Sequence, residues 1–154
     1  MVQASGAPDR IDGTYESISP ESTFNLGCRL GAEIRPGDLI LLRGGLGAGK
    51  TLLTKGLVNA LEFDVDEVNS PSFTLVNYYE TPKFDVYHID LWRLDESADV
   101  ASAVGLDEIL ASENAVAVIE WSEKLRQIPH EGRIIRVQIE GDGDDPRTIR
   151  IETS

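Results

Sequence analysis

Residues 44 to 51 read Gly44-Gly45-Leu46-Gly47-Ala48-Gly49-Lys50-Thr51 and satisfy the pattern G-x-x-x-x-G-K-[ST]. Each position has a chemical reason. Glycines let successive backbone N–H groups converge on an anion without Cβ clashes. Lys50 would reach the β- and γ-phosphates of a nucleotide, and the Thr51 hydroxyl would ligate Mg²⁺. The amides of Gly45, Leu46, Gly47, Ala48, Gly49, Lys50, Thr51 and Leu52 would form the cradle, completed by the positive end of a helix.

A phosphate cradle becomes a hydrolytic site only with a carboxylate for the metal or for the attacking water. Glu120 ends the apolar run Val116-Ala117-Val118-Ile119, and an acid at the C-terminal end of a central strand lies beside such a loop in open α/β sheets. Asp90 is the second acid. His88 and Asp90 are two apart in a strand pattern and share a face; His88 reads as a hydrogen-bonded, half-buried imidazole in preference to a metal ligand. Ser70, Ser72 and Thr74 make a hydroxyl-rich loop where nucleotide hydrolases carry a switch. Trp92 and Trp121, next to the two acids, read as core packing. With His130 the only other histidine, a histidine-rich metal centre is excluded.

The elements that must position these groups are legible around them. Leu39-Ile40-Leu41-Leu42 is a buried strand feeding the loop. Lys50 to Leu61 follows as a helix, with Leu53, Leu57 and Leu61 on one face. Tyr15 to Ile18 is a short strand. Ser19-Pro20-Glu21 opens a helix running to Ile34, with Ser as cap, Pro in the first turn, and Phe24, Leu30 and Ile34 inward. Phe73 to Tyr79 and Phe84 to Leu91 form a hairpin or two adjacent strands. Asp95 to Leu110 is helical in pattern with a break at Gly105. Ala115 to Ile119 suits a central parallel strand covered on both faces. Arg133 to Glu140 and Arg147 to Glu152 flank the acidic tip Asp142 to Asp145 and make a terminal hairpin. The fold class is therefore α/β: a central, mostly parallel sheet flanked by helices, with antiparallel hairpin additions.

The chain has 154 residues, enough for one nucleotide domain over 14–154 behind a flexible leader at 1–13, but not for a separate substrate domain. A net charge of −13, from 27 acidic and 14 basic residues, opposes stable contact with a phosphate backbone. Nucleic acid is expected only through another protein. Cys28 is the single cysteine; it reads as a buried helix residue, and its solitude fits a reducing cytosol. No apolar run approaches a membrane span and no export signal is visible, so a cytoplasmic protein with no membrane partner is expected.

Taken together, the phosphate loop, Ser70-Pro71-Ser72-Phe73-Thr74-Leu75-Val76, His88-Ile89-Asp90-Leu91-Trp92-Arg93-Leu94 and Ile119-Glu120-Trp121-Ser122-Glu123 resemble the bacterial TsaE (YjeE) family of tRNA threonylcarbamoyladenosine biosynthesis ATPases. The resemblance runs from about Tyr15 to Ile139. Departures are mild: Trp92 stands where tyrosine is usual, Ser122 where proline is common and Gly45 where aspartate is frequent. The resemblance implies ATP and Mg²⁺ as cofactors, with Lys50 and Thr51 serving the nucleotide and metal, Glu120 the metal site, and Asp90 required for activity. It also implies docking on the TsaD–TsaB threonylcarbamoyl transferase pair, with tRNA met only through that complex. Rival readings are a small-molecule kinase, which needs a cation-rich lid not visible here, a GTPase, which lacks its Asn-Lys-x-Asp readout, and a module that binds nucleotide without hydrolysing it.

Overall fold

The computed structural model describes residues 11–45, 49–69, 71, 74–94, 101, 104–125, 127–128, 130–141 and 146–154. Its strands are β1 (Gly13–Ser17), β2 (Leu39–Arg43), β3 (Val76–Tyr79), β4 (Asp85–Asp90), β5 (Ala115–Glu120), β6 (Ile134–Glu140) and β7 (Arg147–Thr153). The helices are α1 (Pro20–Glu33), α2 (Lys50–Ala60) and a five-residue α3 (Leu106–Leu110). All seven strands join one sheet in the order β1-β7-β6-β2-β5-β4-β3. The four central strands β6, β2, β5 and β4 run parallel, and the hairpins β3–β4 and β6–β7, with β1, add antiparallel edges.

β5 is buried at every position, as expected of a strand covered on both faces. On one face Ile40, Leu42, Val86, Val116 and Val118 pack with Leu26, Leu30, Leu53 and Leu57 of α1 and α2. On the other, Leu39, Leu41, Ile89, Ala117 and Ile119 pack with Leu106 and, more peripherally, Trp121, Leu125 and Ile128. α1 starts where expected: the Ser19 hydroxyl accepts from the Ser22 N–H at 3.1 Å. Leu30 and Ile34 are buried as expected, whereas Phe24 is only half-buried. Leu26, Gly27 and Gly31 are buried as well, the two glycines where α1 and α2 come into backbone contact.

β3 begins at Val76 rather than Phe73, and Val65–Glu67 forms a single 3-10 turn after α2. The helical pattern before Gly105 falls mostly on residues outside the described set. Gly105 does mark a break, with φ +67° at the cap of α3. Of the stretch 1–13, residues 1–10 are not described; Ile11 is buried, and Asp12 accepts from the backbone N–H and hydroxyl of Thr153. Cys28 is half-buried and accepts from Asn59 Nδ2 at 3.5 Å, so it is a helix–helix contact and not a core residue. No helix of the described residues is long and apolar enough to cross a membrane.

Candidate nucleotide site

β2 delivers the loop and α2 receives it. Gly49 caps α2 with φ +110°, a conformation that strains any residue with a Cβ. The first-turn N–H groups of α2, at Lys50, Thr51 and Leu52, have no intrahelical acceptor and are available to an anion. Gly45, Gly49, Lys50, Thr51 and Leu52 are described, while Leu46, Gly47 and Ala48 lie outside the described residues. Lys50 is buried, and its ammonium donates to Gly44 O at 2.5 Å and Gly45 O at 3.4 Å. Burial lowers its pKa, and the carboxylates of Glu120, Asp90 and Glu123 oppose that shift.

Strand register brings the two acids together. Leu42 pairs with Glu120 across β2–β5, and Glu120 with Asp90 across β5–β4, so all three align at the C-terminal ends of parallel strands. Both acids lie on the side of the sheet that α1 and α2 cover, and both are buried, Glu120 to 3% exposure. Glu120 Oε2 accepts from His88 Nε2 at 2.6 Å, and Asp90 Oδ1 accepts from the Trp92 N–H at 2.9 Å. His88 is hydrogen-bonded as expected, but at 0% exposure it is buried completely rather than by half. The hard oxygens of Thr51 and Glu120 beside a phosphate cradle are the donor set Mg²⁺ takes when nucleotide phosphates supply the rest. No cluster of three His, Cys, Asp or Glu side chains able to hold a metal unaided occurs among the described residues.

Reading along the chain missed four participants. Trp92 is not a core residue, and Trp121 packs only at the edge of the cluster formed by Leu39, Leu41 and Ile119. Their rings meet at 4.5 Å between centroids, tilted by 41°, the Lys50 ammonium lies 4.1 Å from the Trp121 ring centroid, and Trp92 is 42% exposed. Trp121 takes the left-handed conformation, φ +62°, which turns the chain off β5 immediately after Glu120 and puts the ring against the lysine. Tyr79 and Asn77, two apart on β3, face His88: the Tyr79 hydroxyl is 3.1 Å from Nδ1, and Asn77 pairs with His88 in register. Burial raises the Tyr79 pKa. Of the proposed switch hydroxyls, Ser70 and Ser72 lie outside the described residues; Thr74 is exposed and donates to Asn77 Oδ1 at 2.8 Å. Alternation along β3 could have placed Asn77 and Tyr79 on one face. Only the pairing register shows that the face is that of Glu120.

A strand and a helix joined by the G-x-x-x-x-G-K-[ST] sequence at the carboxyl edge of a parallel sheet, with a buried acid on the neighbouring strand, define a P-loop-type α/β protein. Comparison with known proteins narrows the class. The family model for the threonylcarbamoyl adenosine biosynthesis protein TsaE matches residues 17–149, and the chain belongs to that family. The tRNA threonylcarbamoyladenosine biosynthesis protein TsaE of Bacillus subtilis is 36% identical over 137 residues, covering 88% of this chain and 82% of that protein. The protein of the same name from Mycobacterium tuberculosis H37Rv is 39% identical over 123 residues, covering 75% of this chain and 71% of its own. The crystal structure of Bacillus subtilis YdiB superposes with a TM-score of 0.68 at 29% identity, covering 93% of this chain and 85% of that one.

Proposed function

We propose that residues 14–154 act as one Mg²⁺-dependent ATPase domain that works on the TsaD–TsaB threonylcarbamoyl transferase pair during tRNA threonylcarbamoyladenosine formation. Membership in the TsaE family supports the pathway, and the observation that carries the ATPase reading is the register-aligned pair Glu120 and Asp90 beside Lys50. In this reading the amides of Gly45 to Thr51 and the first turn of α2 bind the phosphates. Lys50 exchanges Gly44 O and Gly45 O for phosphate oxygens and neutralises charge on the leaving and transferred groups. Thr51 and Glu120 hold Mg²⁺, directly or through water; the ion supplies charge neutralisation across the phosphates. Asp90 orients the attacking water. The chain's acidity leaves tRNA to the partners.

The test is Mg²⁺-dependent ATP hydrolysis by the pure protein, with and without the TsaD–TsaB pair and with GTP as control. Turnover that prefers ATP and changes with the partners supports the reading. Fast, partner-independent phosphoryl transfer to a small acceptor would replace it with a kinase, and tight binding without turnover under any condition would replace it with a structural-nucleotide module.

A further inference from the structure

Glu120 is the end of a chain of hydrogen bonds that begins on the protein surface. The exposed Thr74 hydroxyl donates to Asn77 Oδ1 at 2.8 Å. Asn77 Nδ2 donates to Asn69 O at 3.0 Å and reaches the Tyr79 hydroxyl at 3.4 Å. That hydroxyl is 3.2 Å from Asn69 O and 3.1 Å from His88 Nδ1, and His88 Nε2 is 2.6 Å from Glu120 Oε2.

An ionised Glu120 carboxylate only accepts, so it takes the hydrogen of His88 Nε2. The Tyr79 hydroxyl donates to Asn69 O and receives the Asn77 amide, and its oxygen lies within hydrogen-bond distance of His88 Nδ1. The contacts run without a break from Thr74 to Glu120, through side chains on the same face of adjacent strands.

We infer that Tyr79 and His88 are positioning residues: they fix one oxygen of Glu120 and leave the other for the metal, and they couple that orientation to the loop carrying Thr74. The inference rests on Glu120 serving the metal. The burial of Tyr79 and His88 is more than packing requires, because a completely buried imidazole bonded at both nitrogens has a single orientation. The loop and the acid are thereby linked in both directions, so a partner seated on Thr74 alters the metal site and a filled metal site alters the loop.

The experiment is calorimetric titration of the full chain with ADP, with and without Mg²⁺, for wild type, Tyr79→Phe, His88→Gln, Thr74→Ala and the Thr74→Ala/Tyr79→Phe pair. Tyr79→Phe removes one hydroxyl and keeps the ring against Phe63. The Mg²⁺ concentration needed for half of the gain in ADP affinity should rise roughly 10-fold in Tyr79→Phe and more in His88→Gln, the range expected for groups that orient a metal ligand. ADP affinity without Mg²⁺ should stay within about twofold, which a general loss of structure would not allow. Thr74→Ala should raise the Mg²⁺ requirement in wild type and add nothing in the Tyr79→Phe background. An unchanged Mg²⁺ requirement in a folded Tyr79→Phe protein overturns the inference even if His88→Gln fails to fold. If Mg²⁺ adds nothing to ADP binding by wild type, the metal role of Glu120 itself is wrong and the inference falls with it.

Discussion

The Lys50 ammonium sits 4.1 Å from the centroid of Trp121 while donating to Gly44 O at 2.5 Å, so this lysine is held by its own loop and by the residue that follows Glu120. The arrangement stores an electrostatic cost. Burial sets the folded-state pKa of Lys50 below the ordinary lysine value of 10.5. Between those two values the unfolded chain binds more protons than the folded one, so stability rises with pH across that window. The cost of the charge is fully present below the folded pKa and has gone above 10.5. Lys50→Met should abolish this alkaline rise and stabilise the nucleotide-free protein at neutral pH by about 1 kcal/mol, the usual size of such gains at functional sites. Urea midpoints measured at a series of pH values for both proteins check it; a parallel alkaline rise in Lys50→Met would assign the effect elsewhere. Phosphate favours the ammonium, so nucleotide affinity should fall as pH climbs through the folded pKa.

The three charged groups at the site should separate by kinetics. Lys50 folds back onto its own loop at Gly44 O, and Lys50→Ala should abolish nucleotide binding. Glu120→Ala and Asp90→Ala should spare binding and reduce turnover by roughly 100-fold or more, because a metal or water ligand acts mainly in the transition state. Binding isotherms and single-turnover rates read the two quantities apart. Equal loss of affinity in all three variants would contradict this division of roles.

The helix that carries the cradle is set by glycine contacts, and these should be intolerant of a methyl group. A Cβ on Gly56 would come within 2.1 Å of Phe24 O, and one on Gly27 within 2.2 Å of Leu53 O. Both opposing atoms belong to backbone, so relief requires the helices to part. Alanine gains about 1 kcal/mol in helix propensity, but overpacking of this severity costs more, about 3 kcal/mol. Gly56→Ala should therefore lower the melting temperature by several degrees, and it should weaken nucleotide binding because α2 carries Lys50 and Thr51. A variant as stable as wild type would show that the helices separate cheaply.

How far the site could be read along the chain follows from which interactions are local. Gly44 to Thr51, the Ser19 cap, and Glu120 closing an apolar run all declare themselves within a few residues, since turn, cap and strand chemistry are short-range. The α/β class followed from the same local patterns. The Tyr79–His88–Glu120 contacts and the tilted contact of Trp92 with Trp121 depend on register and on a left-handed residue at 121, which no local pattern reports. The close approach of α1 and α2 was hidden for the same reason. Gly27, Gly31 and Gly56 lower helix propensity when read singly, and make sense only when each is set against the backbone of the opposite helix.

A last relationship lies at the other end of the sheet. Asp38, at the entry to β2, is buried and is held by Arg133 through Nε–Oδ1 at 3.0 Å and Nη2–Oδ2 at 2.6 Å, with the Arg35 N–H donating to Oδ2 at 2.9 Å. The same guanidinium donates to Glu33 O, the end of α1, at 3.2 Å. One arginine therefore ties the helix, the strand that feeds the cradle and β6. The carboxylate raises the Arg133 pKa, so the cation persists at any pH at which the protein folds. Truncating one partner of a buried pair leaves the other charge without compensation, which costs about 3 kcal/mol, whereas removing both charges costs less. Arg133→Ala should accordingly be much more destabilising than the Arg133→Ala/Asp38→Asn pair, and the difference should appear as a non-additive term in the double-mutant cycle. Nucleotide affinity should follow stability only weakly, because the bridge lies at the opposite ends of the strands from Glu120 and Asp90. If the double variant were as unstable as the single one, the arginine would be acting through its bond to Glu33 O and its packing rather than through Asp38.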